Sequence, residues 1–249
     1  MAIPDRTRVR ENLRIICPEA GPKEIDEMAR GVFRNFGMYL VDFLRAGSLS
    51  LESVKEKVSI SKPEILEAAL ARKRGAMILS AHIGNWEIGG MALALMGYPT
   101  AAIALNHKNP RVNNFFIQQR QRHGIEVIPF GFALRRSLKA LKENKLLAIL
   151  GDRNFNPAEG IEIELFGKKL LLPRGPAWLS AHTGAALVPA FVLRQDSGGF
   201  CIQVHPEIAP PKSDADGEVR RVIQDYASVL EKVVRQDPAQ WCIFHRFWE

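Results

Sequence analysis

The chain has 249 residues, 47% hydrophobic and 24% charged, with a formal net charge of +7. These values fit a globular protein with room for one large domain or two small ones, and argue against a disordered chain. Cys17, Cys201 and Cys242 are few, scattered and odd in number, which argues against a disulfide framework and against a cysteine metal site.

Residues 1–74 read as a helical part. The start, Met1–Arg10, is polar and charged and does not read as a signal peptide. Between Glu24 and Arg45, apolar residues recur close to the helical period, at Ile25, Met28, Ala29, Val32, Phe33, Phe36, Leu40, Phe43 and Leu44. Pro22 and Gly47 bound that helix. Leu51–Val58 and Pro63–Arg74 read as two further short helices. No stretch reads as a transmembrane helix, because the longest apolar region, Ile88–Leu105, is broken by Gly97-Tyr98-Pro99-Thr100.

From Gly75 the pattern alternates. Strands are expected at Ala76–Ser80, Ala101–Leu105, Glu126–Pro129 and Leu146–Leu150. Helices are expected at Glu87–Met96 and Pro110–His123 and around Leu134, Leu138 and Leu141. That order predicts an α/β fold with a mostly parallel central sheet flanked by helices. A hairpin over 161–170, a helix over Pro173–Gly184, late strands at Leu187–Leu193 and Phe200–His205, and a helix over Gly217–Arg235 complete it. The last aromatics, Trp241, Phe244, Phe247 and Trp248, are expected to pack back on the body. No composition shift marks a second domain, so 1–249 reads as a single domain, with 75–249 as its α/β core.

The run Ala76–Ser80 is apolar up to its last residue and too short for a stable helix, as expected of a strand buried on both faces. His82 falls just past its carboxyl end, the edge where open α/β sheets bind ligands. Asn85 can cap the next helix, and Glu87 sits in its first turn. In a continuous helix His82 and Glu87 would point about 140° apart, so they meet only if the chain turns at Gly84-Asn85. A carboxylate on one imidazole nitrogen would leave the other free as a base. Leu146–Leu150 ends in Gly151-Asp152-Arg153-Asn154, which places Asp152 in the same crevice. Ser80 is a less favoured nucleophile. The repeat of Leu79–Gly84 at Leu179–Gly184 falls late in a helix, so His182 reads as structural. There is no G-x-S-x-G elbow, Walker lysine, G-x-G-x-x-G or H-E-x-x-H. No metal is expected.

The positive charge is local. Asn106–Leu150 holds nine basic residues against Glu126 and Glu143, a surplus equal to the whole net charge. It reads either as solvated helix faces or as a docking surface for something anionic.

His82-Ile-Gly-Asn-Trp-Glu87 resembles the H-x₄-D/E motif of glycerolipid-type acyltransferases. From about Asn35 to the end the chain resembles the bacterial lipid A biosynthesis lauroyl/myristoyl acyltransferase family, which includes phosphatidylinositol mannoside acyltransferases. Asn109-Pro110 with Arg120, Asp152-Arg153-Asn154, Phe166-Gly167, Pro173-Arg174-Gly175-Pro176-Ala177, Thr183-Gly184 and the terminal Trp241-x-x-x-His245-Arg246 follow in that family's order. The resemblance implies transfer of a fatty acyl chain from an acyl carrier protein or coenzyme A thioester to a hydroxyl of a membrane glycolipid. It implies His82 as base oriented by Glu87, and Asp152 as a further support of the histidine. Asn85 and the amides of the helix start would stabilise the oxyanion, while Arg120 and Arg153 would bind donor or lipid phosphate. No cofactor and no nucleic-acid partner are expected beyond the acyl thioester and an anionic membrane surface. The implied place is the cytoplasmic face of the bacterial inner membrane, held peripherally or by an N-terminal anchor outside this chain. Acyl transfer to lysophosphatidate, and a non-catalytic basic module that binds membrane or nucleic acid, are the alternatives.

Overall fold

A computed structural model describes residues 5–248; Met1–Pro4 of the polar start lie outside it. The N-terminal part holds helices α1 (Arg6–Ile16), α2 (Pro22–Arg45), α3 (Leu51–Lys57) and α4 (Pro63–Ala71). Pro22 and Pro63 stand in the first turn of their helices, where a missing N–H costs nothing. Between α3 and α4 lies a strand, β1 (Val58–Ile60), which corrects the reading of this part as wholly helical. Three residues carry no period of their own. The strand exists because Val58–Ile60 pairs with Phe200–Ile202 far along the chain.

The alternating part follows its predicted order. It comprises β2 (Ala76–Ser80), α5 (Trp86–Leu95), β3 (Thr100–Ala104), α6 (Pro110–Arg122), β4 (Glu126–Pro129), α7 (Ala133–Lys142) and β5 (Leu146–Leu150). A separate antiparallel hairpin, β6 (Gly160–Leu165) and β7 (Lys168–Pro173), comes next. Then come α8 (Gly175–Thr183), β8 (Ala186–Arg194), β9 (Phe200–Val204) and α9 (Asp216–Gln236).

The main sheet has seven strands in the order β1-β9-β8-β2-β5-β3-β4. Every pairing is parallel except β8–β9, which a short connection makes antiparallel. β2 lies between β8 and β5, and all five of its residues are buried. Its alternate residues feed two cores. Met77 and Leu79 pack with α1, α2 and α9 on one face, and Ala76 and Ile78 pack with α4 and α5 on the other. The two-sided burial explains why β2 shows no polar alternation.

Candidate active site

β2 and β5 pair in parallel with Ser80 opposite Leu150. Neighbouring strands lie about 4.8 Å apart, so residues two steps beyond each end come side by side. These are His82 and Asp152. His82 Nδ1 lies 2.8 Å from Asp152 Oδ1. Asp152 Oδ2 accepts from the His82 backbone N–H and from Trp241 Nε1–H, both at 3.0 Å. Burial alone would push this fully buried carboxyl up. The charge and hydrogen bond of His82, the Arg153 guanidinium and the Trp241 N–H outweigh it and hold the carboxyl well below the usual carboxylate range. An ionised carboxylate only accepts, so Nδ1 carries a proton, and in the neutral imidazole it is Nε2 that has the lone pair. Trp86 packs edge-on to the imidazole, ring centroids 5.0 Å apart, and Tyr39 stacks on Trp86 at 4.3 Å.

The loop that carries His82 is pinned by the end of the chain. His82 O accepts from Cys242 N at 2.8 Å, Gly84 N donates to Gln240 O at 2.9 Å, and Asn85 N donates to Val192 O at 3.0 Å. Tyr226 Oη donates to Ser80 O at 2.7 Å from α9. Gly84 is required here, because its φ is +60° and an added Cβ would lie 1.7 Å from Val192 O. The Gly84→Ala variant is therefore expected to lose about 3 kcal/mol or more of stability, read as a lower denaturation midpoint.

Glu87 is not the partner of His82. It lies two residues inside α5 and pairs with Arg120 at the end of α6, with Arg120 Nε to Oε2 at 2.9 Å and Nη2 to Oε1 at 2.5 Å. Both side chains are largely buried. Burial opposes the Arg120 charge, and Glu87 outweighs that and raises its pKa. Sequence reasoning joined His82 to the nearest carboxylate along the chain, whereas strand register delivers a carboxylate seventy residues away.

Asn85 caps α5 as expected, accepting from Ile88 N at 3.1 Å, and its amide donates to Asp42 at 3.1 Å. It is buried and lies outside the lining of the cavity described below. The Gly84 and Asn85 N–H groups are spent on backbone carbonyls, so neither can serve an oxyanion. Arg153 does line the cavity, with Nη2 on Cys242 O at 2.8 Å and Nε buried without a partner. Ser80 Oγ is buried and makes no hydrogen bond to His82. His182 bonds back to Trp178 O at 2.9 Å and stacks on the Trp178 ring, a structural role.

His82, Glu87, Arg120 and Arg153 open onto one cavity of about 880 Å3. Its apolar lining includes Ile78, Ala102, Ala148 and Val192 of the sheet and Gly90 and Leu93 of α5. Ala102 and Ala148 are register partners on β3 and β5, and a Cβ on Gly90 would meet only Ile125, at 3.5 Å. Small residues on strand and helix leave space in the cavity on that face of the sheet. His82, Arg153 and Asn154, just past the carboxyl ends of β2 and β5, are among its polar lining.

The family model of bacterial lipid A biosynthesis acyltransferases matches residues 2–249. The chain belongs to this family. Among relatives of this acyltransferase, a phosphatidylinositol mannoside acyltransferase of Mycolicibacterium smegmatis is 24% identical over 97% of this chain and 79% of its own length. One of Mycobacterium tuberculosis is 27% identical over 97% of this chain and 76% of its own. The lipid A biosynthesis lauroyltransferase of Escherichia coli is 24% identical over 96% of this chain and 77% of its own.

Trp241 is the contributor to the His82–Asp152 site that sequence reasoning missed. Its N–H fixes the carboxylate that fixes His82. The signal was present, since the terminal aromatic cluster was expected to pack back. What it lacked was the position of an indole N–H, which depends on the bridge between Ile83 and Trp241.

Proposed function

We propose that the protein moves a fatty acyl chain from an acyl thioester to a hydroxyl of an anionic membrane glycolipid, with His82 as general base and Asp152 as the residue that positions it. The observation that carries this reading is the imidazole whose Nδ1 is tied to a buried carboxylate while its ring lines an apolar cavity. The acyl chain lies in the apolar part of the cavity, with the thioester carbonyl near His82. The acceptor hydroxyl gives its proton to Nε2 as its oxygen bonds to the carbonyl carbon. The tetrahedral intermediate collapses, the C–S bond breaks, and the proton passes from the imidazolium to the leaving thiolate. No acyl-enzyme forms.

The oxyanion is met by the first-turn N–H groups of Trp86 and Glu87, which the Asn85 cap leaves free. The Glu87–Arg120 pair makes a rigid polar wall at the mouth. Arg153 supplies positive charge for phosphate on donor or acceptor. The donor, on acyl carrier protein or coenzyme A, is a co-substrate, and no further cofactor is needed. The acceptor class is suggested by relatives named for phosphatidylinositol mannoside and lipid A. This reading includes a seat at the inner membrane, where such a glycolipid resides; no described helix is long and apolar enough to cross a membrane.

The test offers each thioester separately, with and without glycolipid in vesicles, and follows free thiol. Release that requires the lipid supports the reading, and release that ignores the lipid points to a hydrolase. Chain-length choice adds a second expectation. Ala148→Leu puts a branched side chain into the cavity, so the preference for long over short acyl donors should fall by about tenfold or more, measured by competition between two donors. An unchanged ratio would place the acyl chain elsewhere.

A further inference from the structure

We infer that the rim of the cavity mouth is an interfacial docking surface for an anionic phospholipid bilayer. The surface takes its purpose from the acyl-transfer reading, while its geometry is independent of it. Phe130, Phe132, Leu134 and Phe155 are 45%, 69%, 55% and 53% exposed. Single exposed apolar residues are ordinary, but a cluster of them marks an interaction site. These four stand on two adjoining segments, the turn Phe130–Phe132 with the start of α7, and the loop after Asp152. The Phe130 and Phe155 rings meet at 6.2 Å. Phe130, Leu134 and Phe155 also line the cavity, so the exposed patch is its lip.

A second apolar surface adjoins the cavity at Phe116. That residue belongs both to the cavity and to a smaller apolar hollow of about 370 Å3 beside Leu44 and Val112, which are 65% and 41% exposed.

Charge selects the partner. Glu126 is taken by Arg136 and Lys145, and Glu143 by Lys139 and Lys145. Arg111, next to Val112, and Arg135, next to Leu134, are exposed and have no ion pair among the described residues. Exposed apolar side chains with cations immediately beside them match the boundary between acyl chains and anionic headgroups. A protein partner would instead be met by a flatter patch whose polar rim carries hydrogen-bonding groups. Seated this way, the lip lets an acyl chain pass between bilayer and cavity without crossing water.

The test is flotation of the full chain with phosphatidylcholine vesicles and with mixed phosphatidylcholine/phosphatidylglycerol vesicles. Binding is expected to the mixed vesicles and to fall with added salt. Phe132→Ser should weaken it by about tenfold and Arg135→Glu by about fivefold. Phe155→Ser, on the other segment, should act in the same direction. All three positions are exposed, and thermal melting checks that each variant folds. His82→Ala should bind vesicles as well as the unmutated protein, which separates failure of this proposal from failure of the catalytic reading. The proposal is overturned if the unmutated protein stays free of mixed vesicles, or if folded Phe132→Ser and Phe155→Ser bind them equally well. It is also overturned if these variants lose binding to acyl carrier protein instead, since the lip would then dock a protein.

Discussion

The His82→Ala variant is expected to keep its fold and to lose acyl transfer by about 10²–10⁴-fold. Without the imidazole the acceptor hydroxyl has no group positioned to take its proton, and a neutral alcohol is a poor nucleophile toward a thioester. The truncation also removes one of the three hydrogen bonds on Asp152, leaving the His82 backbone N–H and Trp241 Nε1–H on Oδ2. Losing a bond to a buried charge costs about 1–3 kcal/mol, which a denaturation midpoint reports separately from activity. His82→Gln, whose amide can still donate toward Asp152, should be equally inactive with a smaller loss of stability. Thiol release in the presence of glycolipid measures both.

Asp152→Asn is expected to cost about 10²-fold or more in kcat, although it changes one atom. Oδ2 faces two fixed donors, the His82 backbone N–H and the indole N–H. The Asn carbonyl oxygen must take that place, which turns the NH₂ toward His82 Nδ1. Nδ1 then has to accept, the ring proton moves to Nε2, and the lone pair that serves as base is gone. The same substitution changes stability against pH. The folded carboxyl titrates below its unfolded value. Its contribution is therefore present above the ordinary carboxylate range of about 4 and is lost as pH falls below it. Asp152→Asn should flatten the acid limb of a stability–pH curve. An unchanged kcat would mean that the pair does not set the tautomer.

Much of this was legible in the sequence wherever one segment decides its own structure. The strand–turn–helix at 76–90 was readable because five buried residues, a glycine and a capping asparagine each permit little else. Leu146–Leu150 and its polar end were readable for the same reason. What depended on pairing between distant segments was not. β1 is three residues long and exists only through Phe200–Ile202. The antiparallel turn of β8 into β9 makes the sheet mixed. The choice of Asp152 over Glu87 is decided by the Ser80–Leu150 register. Proximity along the chain favoured Glu87, and its real partner, Arg120, comes from the far end of another helix.

The cavity was invisible for a further reason. Ala102, Ala148 and Gly90 carry no signal one by one, and they line one cavity only when β3, β5 and α5 bring their small side chains together.

Mass spectrometry of the lipids tests the central claim most directly. The unmutated protein and folded His82→Ala are each incubated with an acyl thioester and vesicle-borne glycolipid, and the products are weighed. A glycolipid heavier by one acyl group is expected from the unmutated protein, little or none from His82→Ala, and no acylated protein in either. The same acylated lipid formed at a comparable rate by His82→Ala would contradict it.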